Sequence, residues 1–461
     1  MLFNSLEFLI FFPIVTLLYF LVQHKFRWLI LLVASCLFYA SLIPIYLLIL
    51  CFIIILDYCA GILIATSRRP KNWLILSIVS NFAILAIFKY YDFFIENINA
   101  FSGSHFILLH LILPLGLSFH TFQSVSYTME VYRKKQQPVK HFGYYALYVM
   151  YYPQLVAGPI ERPQNLFPQF SAKHPFSSEK LYQGIRLMAW GFFKKVVVAD
   201  RIGMFTDGIF NDPAASNGWS FILAAVFFTI QIYADFSGYT DIAIGASKCM
   251  GIDLMENFRR PYFARNIKSF WKRWHISLTT WFRDYLYIPM GGNRKGAALH
   301  YIFILITFIA SGFWHGAAWT FLIWGALHGL FLLAYEILGH KVQIGKWPAL
   351  FITMFAVTVA FVFFRINSLN DLPIFLAKLR HINGFSFSEM ITAKGVQFGN
   401  ISLLISFASI IYMFVIERFT LPNLINLDGK PYLDFAFFVG TLLAIIFFGL
   451  FNQSNFIYFQ F

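Results

Sequence analysis

The sequence predicts an all-α protein that crosses a membrane many times, and three observations lead to this fold class. Of the 461 residues, 59% are hydrophobic and only 12% are charged, whereas about 25% of the residues in a typical soluble domain are charged. Apolar stretches of about 20 residues, the length of a spanning helix, recur along the chain. Basic residues are concentrated in alternate joints between these stretches. Because no internal repeat or low-complexity linker is visible, we expect one integral-membrane domain over residues 1–461.

The first third of the chain predicts the early spans and their orientation. Every second joint carries Lys or Arg, and the other joints carry none. Because basic loops remain cytosolic, we expect the N-terminus to face outward and the 133–140 loop to face the cytosol. The first span has no positive n-region and no small-residue cleavage site, so we expect a retained helix and not a signal peptide. The predicted spans are about 6–23, 28–43, 45–65, 73–91 and 105–131. The basic joint residues are Lys25, Arg27, Arg68, Arg69, Lys71, Arg133, Lys134, Lys135 and Lys140.

The charge balance and the cysteines exclude some functions. An excess of 35 Lys and Arg over 21 Asp and Glu is expected of cytosolic loops and gives no reason to predict nucleic-acid binding. The four cysteines form no CxxC pair, and three of them lie in apolar runs. We expect them to be buried small hydrophobic residues, with neither a disulfide framework nor a metal site.

The segment 151–164, YYPQLVAGPIERPQ, is too rich in proline and glycine for a regular helix. Irregular backbone beside apolar spans is tolerated where protein or a water-filled cavity surrounds it. A re-entrant or pocket-lining segment and an ordinary cytosolic loop are equally good interpretations of this pattern.

Two carboxylates interrupt the long apolar run at about 219–250, which follows a span at about 181–200. Asp235 and Asp241 are six positions apart, so on a helix they point about 120° from each other. This separation argues against a shared acid–base pair. We therefore favour structural hydrogen bonds to helix ends or arginines over a catalytic role.

The stretch 256–296 has the densest chemistry, with nine Lys and Arg residues and two acidic residues. Its apolar side chains recur at helical spacing, and Lys272 and Arg283 lie off that face. This pattern predicts a basic helix in the membrane interface. A functional interpretation adds a positive surface for a phosphate-bearing ligand. The residues of the apolar face are Trp271, Trp274, His275, Leu278, Trp281, Phe282 and Tyr285.

The segment 311–338 is predicted to be one continuous spanning helix that carries His315 near its start. An ionisable side chain at membrane depth is a functional candidate, and the alternative is a histidine bonded to a neighbouring carbonyl. His328 lies 13 positions further on, about 20 Å away along an unbroken helix. The two rings then cannot share a metal ion unless the helix breaks.

Spans at about 348–365, 400–418 and 433–451 bring the total to about eleven crossings, with re-entrant pieces besides. The aromatic tail 455–461 is expected to pack at an interface.

With these features in place, the chain resembles the membrane-bound O-acyltransferase (MBOAT) family, and within it the bacterial branch that acetylates alginate. The resemblance covers most of the chain in order, and from 1 to 110 it is one of hydropathy only. The motifs that carry it are PQLVAGPIERP (153–163), YADFSGYTDIAIG (233–245), NFRRPYF (257–263), SFWKRWHISLTTWFRDYLYIPMGGN (269–293), SGFWHGAAWTFLIWGALHG (311–329) and FIYFQF (456–461).

The resemblance implies a ring of tilted helices around a thinned centre, with funnels that meet at a tunnel. It implies that His315 is catalytic and that His275 is its polar partner. It further implies that acetyl groups, with acetyl-CoA as the expected donor and no bound cofactor or metal, pass from the cytosol across a bacterial inner membrane. A periplasmic or surface partner protein would then esterify an exported polysaccharide. Candidates for attracting the donor's phosphates are Lys272, Arg273, Arg294 and Lys295, together with Arg259 and Arg260.

The chemistry of histidine agrees with these roles, because neutral imidazole can take the proton of an attacking hydroxyl near pH 7.

Two alternative functions remain at this point. One is the same machinery serving peptidoglycan O-acetylation or teichoic acid D-alanylation. The other is a transporter in which Asp235, Asp241 and His315 form a relay. Transporters commonly carry matching interrupted segments in two halves, and the segments 151–164 and 286–296 do not resemble each other.

Overall fold

The computed structural model describes residues 1–41, 43–155, 158–339, 344–382, 384, 386–391, 399–419, 431–451 and 456–457. Within these ranges all regular structure is helical, which confirms the predicted all-α class. Seven described helices are long and apolar enough to cross a membrane, and Leu6–Leu21 and Tyr432–Phe448 are shorter apolar helices. The protein is therefore a multi-pass membrane protein, although the predicted number of eleven crossings is not confirmed.

The chain forms two compact units. The first comprises Met1–Met188 with Thr240–Glu256, and the second comprises Ala189–Tyr239 with Asn257–Phe461. The prediction of a single domain over residues 1–461 stays a prediction.

The first unit contains seven helices of its own. One cluster of its buried polar side chains satisfies its hydrogen-bonding groups internally, as is required at membrane depth. Asp57, which is fully buried, accepts hydrogen bonds from Ser77 Oγ at 2.6 Å and from Asn81 Nδ2 at 2.8 Å. These bonds join two neighbouring helices. The seven are α1 (Leu6–Leu21), α2 (Arg27–Ala40), α3 (Tyr46–Thr66), α4 (Pro70–Ser102), α5 (Leu117–Tyr132), α6 (Phe142–Met150) and α7 (Pro163–Ser171).

The predicted span 105–131 is wrong in its first half. Helix α4 continues to Ser102, and no helix resumes before Leu117. Apolar composition suggested a helix here, but the Asp92 carboxylate accepts the backbone N–H groups of Leu109 and His110 at 2.8 and 2.9 Å. These bonds replace those of a helix.

The proline-rich segment is irregular, as predicted, and it is buried by protein. After the single turn Tyr152–Leu155, the described residues 158–161 are buried, which favours the pocket-lining or re-entrant interpretation over an ordinary cytosolic loop. Glu161 is completely buried and accepts a hydrogen bond from Asn165 Nδ2 at 2.7 Å. Burial raises the pKa of Glu161 to about 7, against the opposing effect of its hydrogen bonds.

The second unit holds the remaining helices. Two helices, α8 (Ser178–Phe192) and α10 (Gly218–Cys249), contribute residues to both units. The others are α9 (Asp200–Asn211), α11 (Ile267–Trp271), α12 (Ile276–Phe282), α13 (Ala297–His315), α14 (Trp319–Leu338), α15 (Lys346–Arg365), α16 (Asp371–Arg380), α17 (Asn400–Phe419) and α18 (Pro431–Phe448), together with the short helical turns Ile288–Met290 and Phe387–Ile391. A π-helical turn, Phe193–Ala199, joins α8 to α9, and a second, Arg283–Tyr287, follows α12.

The continuous helix predicted over 311–338 is broken. Helix α13 ends at His315, Gly316 is extended, and α14 begins at Trp319. The two helices pack closely at glycines, because a Cβ on Gly312 would lie 2.2 Å from the Phe321 carbonyl oxygen. A Cβ on Gly325 would lie 2.3 Å from the Phe308 carbonyl oxygen. The break therefore produces a tight helical hairpin with His315 at its turn.

The predicted interfacial helix over 256–296 is also broken, into α11, α12 and the turns beside them. All seven residues of the predicted apolar face are buried, while Lys272 and Arg283 are exposed, so the assignment of faces is confirmed. Protein surrounds the tryptophans, whereas a helix lying in the membrane interface would present them to lipid.

The acidic residues of α10 differ in their surroundings. Asp235 lies 2.6 Å from Lys195 Nζ and accepts the backbone N–H of Ile457 at 2.7 Å. These are structural contacts of the predicted kind, with a lysine in place of an arginine. Asp241 is half-buried in the first unit.

Of the aromatic tail, only Phe456 and Ile457 lie within the described residues, and both are buried.

The prediction that the cysteines are buried is correct in part. All four cysteines are free, Cys249 is buried and Cys36 and Cys51 are half-buried. Cys59 is exposed, because it lies on the outer side of the spanning helix α3, where an apolar side chain need not be buried by protein.

Candidate active site

His315 lies at the turn of the α13–α14 hairpin in an aromatic enclosure. Its side chain is buried, with 5% of the residue exposed. Its ring centroid lies 4.9 Å from that of Trp314, 5.0 Å from Trp324 and 5.4 Å from Phe364. Because the helix ends here, the imidazole stands at the end of α13 and not near the start of a continuous span, where it had been predicted.

His275 is held by an unusual backbone and by one asparagine. Its φ of 42° places it in the left-handed region, directly before α12. Two backbone hydrogen bonds fix this turn: Ile276 N–H donates to the Asn257 carbonyl, and Arg259 N–H donates to the Arg273 carbonyl, both at 2.9 Å. A non-glycine residue in this conformation is strained, and such strain is common at functional sites.

The side chain of Asn257 determines the tautomer of His275. Its Oδ1 accepts hydrogen bonds from Ser277 N at 3.3 Å and Ser277 Oγ at 2.9 Å. A backbone N–H can only donate, so this atom of Asn257 is the oxygen. His275 Nδ1, 3.1 Å from the same oxygen, must therefore carry a hydrogen. In neutral His275 the lone pair is then on Nε2.

The two histidines predicted as site residues are brought together, although 40 positions separate them in sequence. Their ring centroids are 6.4 Å apart. A substrate oxygen between them could reach a nitrogen of each ring within hydrogen-bond distance, about 3 Å. Burial lowers the pKa of His275 to about 3, so this imidazole is neutral at pH 7.

Aromatic side chains of the second unit pack against His275 and its neighbour Trp274. The Phe236 ring meets it edge to face at 4.7 Å. Its neighbour Trp274 stacks on Phe270 at 5.4 Å and on Tyr262 at 6.0 Å. These contacts leave the imidazole little freedom to turn.

His328 is fully buried and is separated from His315 by one aromatic ring. The sequence predicted a separation of about 20 Å between the two histidines because a continuous helix was assumed. The Trp324 ring lies 5.0 Å from both imidazoles and separates them. Among the described residues, no group of three or more His, Cys, Asp or Glu side chains could hold a metal ion.

A cavity of about 560 Å³ lies beside this site. It has basic residues and an apolar wall, and its lining includes Ser311 and Leu278, each about one helical turn from His315 and His275 respectively. Of the predicted phosphate-binding candidates, Lys272 and Arg294 line the cavity. Arg273 and Lys295 are not among its described lining residues. The charged and titratable lining residues are Lys268, Lys272, Arg283, Tyr287, Arg294, His300 and Glu336.

Two features of the site could not be predicted from the sequence. Asn257 stands at the start of the NFRRPYF motif, and nothing in that motif indicates a role for its first residue. His300 and Glu336, which lie 3.0 Å apart, meet only because the α13–α14 hairpin folds back. A single continuous helix over 311–338 gave no reason to pair them.

Comparisons with known proteins agree with the resemblance. Residues 139–369 match the model of the family described as MBOAT, membrane-bound O-acyltransferase family. The chain is 34% identical to a probable alginate O-acetylase AlgI of Pseudomonas putida, with 100% of both chains covered. It is 36% identical to a probable alginate O-acetylase AlgI of Pseudomonas aeruginosa, with 87% of this chain and 80% of the relative covered. It is 35% identical to a peptidoglycan O-acetyltransferase of Helicobacter pylori, with 100% of this chain and 98% of the relative covered.

Proposed function

Because this chain belongs to the membrane-bound O-acyltransferase family, and is thus a multi-pass O-acyltransferase, we propose that it passes acetyl groups from cytosolic acetyl-CoA to an exported, alginate-like polysaccharide. The observation that carries this proposal is the pair of buried histidines, 6.4 Å apart between ring centroids. The membrane is the inner membrane of a bacterium, and a periplasmic or surface partner protein delivers the acetyl group to the polymer.

In the proposed reaction His315 is the general base. The acceptor hydroxyl gives its proton to His315 as its oxygen attacks the thioester carbonyl, and a new C–O bond forms. The C–S bond then breaks, and the imidazolium returns the proton to the leaving thiolate. The aromatic enclosure excludes water, which would otherwise hydrolyse the activated acyl group.

His275 orients the hydroxyl without taking its proton. Its Nε2 lone pair is available as an acceptor because Asn257 fixes the hydrogen on Nδ1. With a pKa of about 3, this imidazole is a poor base at pH 7. The fixed tautomer and low pKa of His275 support its assignment to orienting and not to proton removal.

The cavity beside the histidines is the proposed donor site. Its basic residues, Lys272 and Arg294 among them, attract phosphates, while its apolar wall suits the pantetheine arm. Arg273 and Lys295 remain candidates for steering the donor toward the opening.

Peptidoglycan is a second candidate acceptor. The Helicobacter pylori peptidoglycan O-acetyltransferase is about as similar to this chain as the alginate O-acetylases, and it is covered along 98% of its length. Teichoic acid with D-alanine as the acyl group is a third possibility, and the mass of the transferred group distinguishes it from acetylation.

The experiment compares cell envelopes from a deletion strain that carries wild-type protein, His315→Ala or the control His105→Ala, whose side chain is exposed. We expect acetyl esters on the exported polysaccharide with wild type and control, and none with His315→Ala. Ester loss confined to peptidoglycan would favour the second candidate. Unchanged esters on both polymers would refute the proposal.

A further inference from the structure

Four polar side chains form one hydrogen-bonded chain along the cavity wall. The Tyr287 hydroxyl lies 2.7 Å from His300 Nδ1, and His300 Nε2 lies 3.0 Å from Glu336 Oε2. Lys268 Nζ donates to the other oxygen of Glu336 at 2.7 Å. The residues come from four different elements, and all four line the cavity. We call Tyr287, His300 and Glu336 the relay; the proposed acyl transfer uses none of them.

The relay has two possible hydrogen arrangements. The Glu336 carboxylate, paired with Lys268, only accepts, so His300 Nε2 carries a hydrogen. When His300 is neutral, Nδ1 holds the lone pair, and the Tyr287 hydroxyl donates to it. When His300 is protonated, Nδ1 donates to the Tyr287 oxygen, and the hydroxyl hydrogen must turn to another acceptor.

The cavity favours an anion as that other acceptor. Glu336 is the only carboxylate among the described lining residues, against the four cations Lys268, Lys272, Arg283 and Arg294. Burial and the nearby Glu336 carboxylate raise the pKa of Tyr287, so its hydroxyl remains a donor at neutral pH. An anion in the cavity stabilises protonated His300 by its charge and also accepts the hydrogen that Tyr287 releases.

We propose that Tyr287 and His300 recognise the anionic, phosphate-bearing part of the acyl donor by a proton-coupled switch, in which donor binding and uptake of one proton by His300 occur together. This inference rests on the proposed function, because it takes the cavity as the donor site. The proton comes from solvent and forms the Nδ1–H bond. The Tyr287 hydrogen bond moves from Nδ1 to a phosphate oxygen, and both changes reverse when the product leaves.

The sign of the pH dependence follows from linkage. The protonated relay binds the anion better, so the donor binds more tightly as pH falls. The slope of log Kd against pH is at most one, because one proton is coupled. The titratable and charged groups that face the relay are Lys268, Lys272, Arg283 with its partner Asp284, and Arg294.

The test is calorimetric binding of dephospho-coenzyme A to the full-length protein in zwitterionic-lipid nanodiscs. This probe keeps the diphosphate but lacks the monoester phosphate, which would itself titrate near neutral pH. Titrations in two buffers with different ionisation heats give the number of protons taken up. We expect uptake by the wild type, approaching one proton per ligand, and none by His300→Gln. The glutamine amide can donate to Glu336 and accept from Tyr287, which preserves the neutral arrangement.

Two further variants complete the design. Tyr287→Phe should lower the uptake below that of the wild type, because only the charge of the anion then favours protonated His300, and it should bind the probe about tenfold more weakly at pH 6, the factor expected for one charge-assisted hydrogen bond. Tyr301→Phe, next to His300 but not among the described lining residues, should match the wild type.

The outcomes separate this inference from the proposed function. Binding without proton uptake, or equal uptake by wild type and His300→Gln, overturns the relay and leaves the donor site standing. No binding of dephospho-coenzyme A or acetyl-CoA to the wild type overturns both. If phosphatidylglycerol added to the nanodisc abolishes the proton uptake that accompanies probe binding, the bound anion is a lipid headgroup, and the donor relay is overturned.

Discussion

At the scale of single residues, Asn257 makes the two histidines chemically different. Its one oxygen accepts from the backbone and hydroxyl of Ser277 and from His275 Nδ1, so three donors converge on a fully buried side chain. His275 is thereby fixed in one tautomer and one orientation. His315 is packed among Trp314, Trp324 and Phe364, and we assign the proposed proton transfer to it.

The first prediction concerns the two histidines. We expect His315→Ala to lower kcat by about 10²–10⁴-fold, the usual contribution of a general base, while the protein still inserts and binds the donor. His275→Ala should leave more residual transfer, because orienting a hydroxyl is easier to replace than removing its proton. Single-turnover kinetics measure both effects. Rapid quench with labelled donor and no acceptor is the critical control, since a covalent acyl-His315 would contradict the general-base role.

The second prediction concerns Asn257. Replacing it by alanine leaves His275 and Ser277 with unsatisfied buried donors, at a cost of about 1–3 kcal/mol each. We expect Asn257→Ala to lower kcat with little change in the KM for the donor, because the cavity lining does not include this residue. Asn257→Asp retains the acceptor oxygen and should recover much of the rate. An effect on KM alone, or no difference between the two variants, would remove Asn257 from the site.

At the scale of elements, the sequence allowed the buried faces to be predicted but not the places where helices break. Trp271, Trp274 and Leu278 follow a local helical period, so their burial could be predicted. The turn at His275 depends on hydrogen bonds from Asn257, some 18 positions earlier, and no local pattern contains that information. The break after His315 likewise depends on how closely α14 approaches α13 at Gly312 and Gly325.

The third prediction tests that hairpin. A methyl group on Gly312 meets the rigid Phe321 carbonyl at 2.2 Å, so Gly312→Ala must push α13 and α14 apart. Overpacking of this kind costs roughly 1–3 kcal/mol, and we expect a lower thermal unfolding midpoint together with reduced kcat, since His315 stands at the hairpin turn. Gly440→Ala is the matched control in α18, because no atom lies within 4 Å of its added methyl. A control variant as destabilised as Gly312→Ala would show that the close packing does not matter.

At the scale of the whole molecule, the asymmetry of basic joints predicts how the early helices are oriented. The correction to the 105–131 span leaves this asymmetry intact. The connection after α4 is now 103–116, and it still contains no Lys or Arg. Acetyl transfer from a cytosolic donor to an exported polymer needs a fixed orientation, which makes the topology a direct test of the proposed direction of transfer.

The last prediction is therefore one of sidedness. We expect Lys134 to be cytosolic and Asn99 to be external. The Asn99 side chain bonds both backbone polar groups of Phe106, so its exposed neighbour Ala100 is the better labelling position. In a background without the four native cysteines, Ala100→Cys should react with an impermeant maleimide in spheroplasts. Lys134→Cys and the second exposed reporter Lys71→Cys should react only after permeabilisation. Labelling of positions 134 and 71 in intact spheroplasts, with position 100 protected, would reverse the orientation and with it the direction in which the acetyl group is carried.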